Sequence, residues 1–270
     1  MSTRTEALLA WYERVARPLP WRSTRDPYAL LVSETMLQQT QAARVVPYYE
    51  AFLARFPDAE ALTAAPTRDV LAAWSGLGYN RRALALQAAA RVIARDGWPE
   101  DLTSLPGVGP YTAAAVASFA WDAPRAAVDV NARRVIERWE RRRLPPRPLA
   151  ARAAALLPAG RAAAWNQAMM ELGATVCTAR AARCDRCPVA PWCASAGVPD
   201  AEVARPSGAG APARPRFEET DRYARGRIVA ALLAGESLPP FDAERLERAL
   251  AGLARDGLVV RGAGGDPALP

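Results

Sequence analysis

The sequence predicts an all-α fold on three observations. Apolar residues recur at helical spacing through most of the first 195 residues, Gly and Pro punctuate the junctions, and no period-2 run suggests a strand before residue 200. Thr5–Ala16 places Leu8, Leu9, Trp11, Tyr12 and Val15 at helical spacing, and Pro18 and Pro20 end it. Tyr28–Tyr49 reads as one long helix. Ala59–Ala64, Thr67–Ser75, Arg81–Asp96, Pro99–Leu105, Pro110–Trp121, Asn131–Arg142, Leu149–Leu157 and Ala162–Cys177 follow, with Gly76, Gly78, Gly107, Gly109 and Pro124 among the breaks. Residues 196–217, rich in Ala, Gly, Pro and Ser, have linker composition. Residues 218–270 form a short tail: helices over Asp221–Leu233 and Asp242–Arg255 and a strand over Gly257–Gly262 suggest a reduced winged-helix-like unit.

Composition narrows the class. Of 270 residues, 51% are hydrophobic, which excludes a disordered chain. No apolar run approaches the ~20 residues a membrane span needs. The formal charge is +7, the chain has no histidine, and every basic side chain is arginine. Planar guanidinium forks suit phosphate, so a polyanionic partner is favoured. The lack of lysine also removes the usual amine nucleophile.

Four cysteines, Cys177, Cys184, Cys187 and Cys193, form a C-x6-C-x2-C-x5-C pattern and are the only cysteines in the chain. The N-terminal segment MSTRTEALLAWYERV lacks the apolar core of a signal peptide, which argues against an oxidising compartment and two disulfides. A tetrahedral zinc site and a [4Fe-4S] cluster both take four thiolates, and spacing alone does not separate them.

Leu105-Pro106-Gly107-Val108-Gly109 lies between two amphipathic segments. Its glycines permit positive φ and close backbone approach, and Pro110 opens the next helix, whose free amides suit a phosphate. Twenty residues after Gly109 stands Asp129, in Val128-Asp129-Val130-Asn131. This combination resembles the helix–hairpin–helix DNA glycosylase superfamily over about residues 5–195. The cysteine pattern then matches the [4Fe-4S] loop of its endonuclease III and adenine glycosylase branches. Leu19-Pro20-Trp21-Arg22, Ser33 to Gln41 (SETMLQQTQ), Gly76-Leu77-Gly78-Tyr79 and Asn166 to Gly173 (NQAMMELG) together resemble the A/G-specific adenine glycosylase (MutY) family.

The resemblance implies a two-lobed catalytic domain over residues 1–195, with one lobe at about 23–121 and an iron–sulfur lobe from 1–22 and 122–195. It implies removal of adenine mispaired with 8-oxoguanine or guanine in double-stranded DNA, by a monomer in the bacterial cytoplasm, on the nucleoid and not on a membrane. Glu34 would protonate adenine N7, Asp129 would stabilise the cationic sugar, and Asn131 and Tyr111 would orient these groups or the water. Arg17, Trp21, Arg22 and Gln167 would line the adenine pocket. Gln39 would fill the gap in the stack and Tyr79 wedge beside the opposite base, with Thr40 and Leu77 nearby and Gly107 and Gly109 at the backbone. The cysteines would hold a [4Fe-4S] cluster of structural role, ordering a loop with Arg180, Arg183 and Arg186. Tyr111 stands where the lyase branch has its Schiff-base lysine, and a Schiff base needs a primary amine, so strand cleavage is not expected. The family's C-terminal Nudix-like domain does not fit in the tail, and Asp-Val-Asn replaces the common Asp-Gly-Asn. Competing readings are a thymine glycosylase acting on T·G, a non-catalytic iron–sulfur DNA-binding protein, and a zinc-based module.

Overall fold

A computed structural model describes residues 3–198, 216–261 and 266–270. Ten helices precede residue 199: α1 (Arg4–Val15), α2 (Pro27–Leu37), α3 (Ala42–Arg55), α4 (Ala59–Ala64), α5 (Thr67–Trp74), α6 (Arg81–Asp96), α7 (Pro110–Trp121), α8 (Val130–Trp139), α9 (Pro146–Leu156) and α10 (Ala162–Thr175). The tail adds α11 (Asp221–Ala234), α12 (Ala243–Arg255) and an antiparallel pair of two-residue strands, β1 (Val260–Arg261) and β2 (Pro267–Ala268). Most of the expected linker lies outside the described residues. Among the described residues no helix is long and apolar enough to cross a membrane.

The chain divides into two compact units, Met1–Leu30 with Val108–Ser207, and Leu31–Gly107 with Gly208–Pro270. The first is built around α10, which packs against α1, α7 and α8. Its core joins Leu8, Trp11, Ile136, Trp139, Trp165 and Leu172. Burying side chains of this size contributes about 1.5–3 kcal/mol each. In the second unit α6 packs on α4 and α5, and α11 packs on α12 and α5.

Local chemistry explains the boundaries. Thr3 and Glu6 form a reciprocal capping box that starts α1. Gly97 at φ 79° ends α6, and Pro110 at the first helical position starts α7.

Three expectations need correction. The single helix over 28–49 is two, because Gln39 takes a left-handed φ of 60°. The carbonyls that a continuous helix would use, those of Thr35, Met36 and Gln38, accept instead from the Arg82 guanidinium at 2.8, 2.9 and 2.6 Å. The segment 99–105 is not a helix but one 3-10 turn, Leu102–Ser104. There the Asp101 carboxylate accepts from the backbone and hydroxyl of Thr103, which favours a turn over a helix interior. Helix α8 stops at Trp139, earlier than expected, with Arg141 at φ 46° just beyond it.

Candidate active site and metal centre

In the first unit, Asp129 is the N-cap of α8. One carboxylate oxygen accepts from the amides of Asn131 (2.9 Å) and Ala132 (2.7 Å), and the other from Asn131 Nδ2 at 2.7 Å. Two helix-end amides and one side chain therefore fix both oxygens. Asn131 is fixed in turn, since its Oδ1 accepts from Arg134 at 2.8 Å. The same guanidinium donates to the carbonyls of Gly173 (2.6 Å) and Cys177 (2.8 Å). Val130, between Asp129 and Asn131, is 73% exposed, so its side chain meets solvent. Tyr111 lies half-buried on α7, its hydroxyl 3.9 Å from Met170 Sδ.

Three pocket candidates, Arg17, Arg22 and Gln167, form one polar cluster in this unit with two residues the sequence reading did not select. Glu171, on α10, is 1% exposed. It accepts from Arg17 at 2.7 and 2.9 Å and from Arg22 at 2.6 Å. Tyr12 donates to Gln167 Oε1 at 2.6 Å, and the Arg22 guanidinium lies 5.4 Å from the Tyr12 ring centre. Trp21 is buried. Burial alone would raise the Glu171 carboxyl, but hydrogen bonds and charge from Arg17 and Arg22 more than offset that and hold it below its ordinary value. A signal for Glu171 was available: it stands four residues after Gln167, on the same helical face.

The four cysteines, unpaired, line one cavity with Trp139, Leu172 and Val176. Arg138 donates to Cys177 Sγ at 3.3 Å and to the Thr178 carbonyl at 2.8 Å. Burial, reinforced by the other three cysteines and partly offset by the Val189 amide, pushes the Cys187 thiol up to about 11. Thiolates here need a positive centre to balance them, which fits a metal cluster. Among the described residues no three His, Cys, Asp or Glu side chains form a group suited to one metal ion. Arg180, Arg183 and Arg186 on this loop are exposed.

In the second unit, Glu34 lies in α2, 5% exposed, between the equally buried Ser33 and Thr35. Gln39 and Tyr79 both have left-handed backbones, φ 60° and 49°, and both are exposed. Non-glycine residues held this way cluster at ligand-binding sites. Arg82 braces both loops at once. Besides the α2 carbonyls it donates to Thr40 Oγ1 (3.4 Å) and to the carbonyls of Leu77 (3.2 Å) and Gly78 (2.9 Å). Burial pushes its guanidinium down to about 10, which leaves it charged at neutral pH. Sequence reasoning missed Arg82 because four of its six partners lie more than 40 residues away.

The two hairpin glycines differ. Gly107, at φ 75°, brings the backbone against α6, where an added Cβ would sit 2.6 Å from that of Ala85. Gly109, at φ −86°, is extended and caps α7; a Cβ there would meet nothing within 4 Å. Only the first needs left-handed freedom, and the second leaves the α7 amides approachable.

Residues 32–157 match the profile of the HhH-GPD superfamily of base excision DNA repair proteins. The chain is 44% identical to the adenine DNA glycosylase of Mycobacterium tuberculosis (strain CDC 1551 / Oshkosh), over 97% of this chain and 92% of that protein. It is 39% identical to the human adenine DNA glycosylase, over 69% of this chain and 38% of that protein. Among solved structures, a thermostable thymine-DNA glycosylase matches with a TM-score of 0.66 and 31% identity, covering 70% of this chain and 93% of that one. An endonuclease III trapped covalently on DNA shares the fold, with a TM-score of 0.61 at 21% identity over 73% of this chain and 98% of that one.

Proposed function

As the chain belongs to the HhH-GPD superfamily of base excision DNA repair proteins and, within it, to the adenine DNA glycosylases, we propose that it hydrolyses the N-glycosidic bond of adenine mispaired with 8-oxoguanine or guanine. One observation carries the reading: Asp129 is held by three donors with its second oxygen tied to Asn131. A carboxylate fixed in this way suits a cation that forms and disappears in place.

The chemistry divides between two acids. Glu34, removed from bulk water, donates a proton to N7 of the extruded adenine, and the base leaves as a neutral species. The sugar then carries oxocarbenium character, which Asp129 stabilises until water adds at C1′ and loses its proton to the Glu34 carboxylate, restoring the acid. Asn131 and Tyr111 orient these groups. Arg17, Trp21, Arg22 and Gln167 shape the adenine pocket, and the ion pairs at Glu171 support that assignment.

Gln39 and Tyr79 enter the DNA stack, with Thr40 and Leu77 beside them and the hairpin backbone at Gly107 and Gly109 on a phosphate. The left-handed conformations of Gln39 and Tyr79 favour this assignment. Cys177, Cys184, Cys187 and Cys193 hold a [4Fe-4S] cluster, which supplies a rigid cross-link for the loop carrying Arg180, Arg183 and Arg186. Their shared cavity and the Arg138 contact to Cys177 support it. With Tyr111 in place of a lysine and no lysine elsewhere, the enzyme releases the base and leaves the strand intact.

Duplexes containing A·8-oxoG, A·G and T·G, assayed for base release with and without alkali, test the reading. Adenine release with strand breaks only after alkali is expected, together with loss of activity in Glu34→Gln and Asp129→Asn. Preferential thymine release, or full-speed excision by either variant, would refute it.

A further inference from the structure

The tail, residues 216–270, reaches the proposed wedge directly. In the second unit the Arg222 guanidinium stacks 4.0 Å from the centre of the Tyr79 ring. Its Nη1 donates to the Tyr79 hydroxyl at 2.8 Å. Resting on the DNA glycosylase reading above, we infer that Arg222 is a positioning residue for Tyr79, through which the tail tunes recognition of the base opposite the adenine.

The tail is anchored on both sides of the wedge loop. Arg68 of α5 donates to the Leu233 carbonyl at 2.7 Å, and Arg81, at the start of α6, pairs with Asp256 at 3.8 Å. Asp256 also pairs with Arg225, which ties α12 to α11. Arg222 therefore approaches Tyr79 from a docked helix. The guanidinium also lies beside Gly78, where an added Cβ would be in ordinary contact with Arg222 Nη2 at 3.9 Å.

The contact orders Tyr79 before DNA arrives. Its backbone is left-handed and its ring 41% exposed, so packing alone restrains it weakly. The guanidinium supplies a planar stacking partner and fixes the hydroxyl as an acceptor. The phenol then keeps its own proton to donate toward an acceptor on the opposite strand. Preorganising an aromatic wedge removes an ordering cost that binding would otherwise bear. That benefit is specific to duplexes in which the wedge inserts.

A double-mutant cycle tests this on the full-length protein. Affinity is measured by fluorescence anisotropy for an A·8-oxoG duplex, an A·G duplex and a fully paired duplex of the same flanking sequence, using wild type, Arg222→Ala, Tyr79→Ala and the double variant. Arg222→Ala should weaken A·8-oxoG binding about tenfold, the range of an aromatic–cation contact with its hydrogen bond. It should leave fully paired DNA within about twofold, and add nothing in the Tyr79→Ala background, where coupling is lost. Thermal melting should not change. Equal weakening of mispaired and paired duplexes would make Arg222 a plain phosphate contact and overturn the inference. So would additivity with Tyr79→Ala, or no effect at all. Adenine release by wild type is scored on the same duplexes; failure there refutes the glycosylase reading separately from these affinities.

Discussion

A Cβ added to Gly173 would lie 2.6 Å from Cβ of Asn131 and 3.0 Å from its Cα and carbonyl carbon. The backbone of α10 thus passes against the residue that holds Asp129. Gly173→Ala sets two effects against each other. Alanine in a helix interior gains about 1 kcal/mol over glycine, while overpacking costs about 1–3 kcal/mol. Since the contacted atoms are backbone and Cβ, relief requires α8 to shift, and Asp129 shifts with it. A misplacement of about 1 Å costs on the order of 100-fold in rate. Single-turnover adenine release should therefore fall at least about tenfold, with little change in the melt. Wild-type rates in Gly173→Ala would show that Asn131 tolerates displacement.

Arg82 should dominate the stability of the second unit. Its guanidinium serves six acceptors, five carbonyls and one hydroxyl. Lysine has three donors and cannot reproduce a planar fork. Arg82→Lys should cost about 2–4 kcal/mol, because buried carbonyls lose their partners. The melt should then drop by about 5–15 °C, read by circular dichroism. Equal melts for Arg82→Lys and wild type would mean that water replaces the guanidinium there.

Much of this was legible in the sequence where the determinants are local. The bounds of α6 and α7 follow from Gly97 and Pro110, which act on adjacent residues. The Asp129–Asn131 pair is two residues apart, so its geometry is almost contained in the motif. The break at Gln39 was not legible. No glycine or proline stands at it, the polar run Gln38–Gln41 is compatible with an exposed helical turn, and the cause, Arg82, acts from 44 residues away. The helical face of Glu171 could be read from Gln167, but its ion pair could not, since its partner Arg17 lies 154 residues upstream. The contact of Arg222 with Tyr79 bridges 143 residues, and no pattern in the tail announces it.

Glu171 should leave a signature in acid. Its carboxyl titrates below its ordinary value of 4.5 in the folded chain. Its contribution to stability is therefore complete above about pH 4.5 and is lost as pH falls through the folded value. Glu171→Gln leaves Arg17 and Arg22 without their counter-charge and should cost about 1–3 kcal/mol at neutral pH, discounted because Arg17 is partly exposed. Urea unfolding at several pH values should show wild type and Glu171→Gln converging as pH drops below about 4.5. A constant gap across that range would assign the stabilisation to packing instead of charge.

The cysteine cavity makes the last prediction one about protons. Without metal, burial and the neighbouring cysteines hold the Cys187 thiol near 11, so it is protonated at neutral pH. Each thiolate released from a cluster then takes up a proton, and acid assists the loss. On the iron–sulfur reading the purified protein should be brown, and chelator-driven bleaching should accelerate from about pH 8 to about pH 6. Cys187→Ser should purify without colour and with little iron. Because Arg134 binds both the Cys177 carbonyl and Asn131, and Arg138 binds Cys177 Sγ, losing the metal should loosen α8 from its C-terminal half toward Asp129. Hydrogen exchange read at α8 should rise on bleaching, and adenine release should fall in parallel. A colourless wild-type protein containing zinc, with α8 equally protected after chelation, would contradict both the cluster and its structural role.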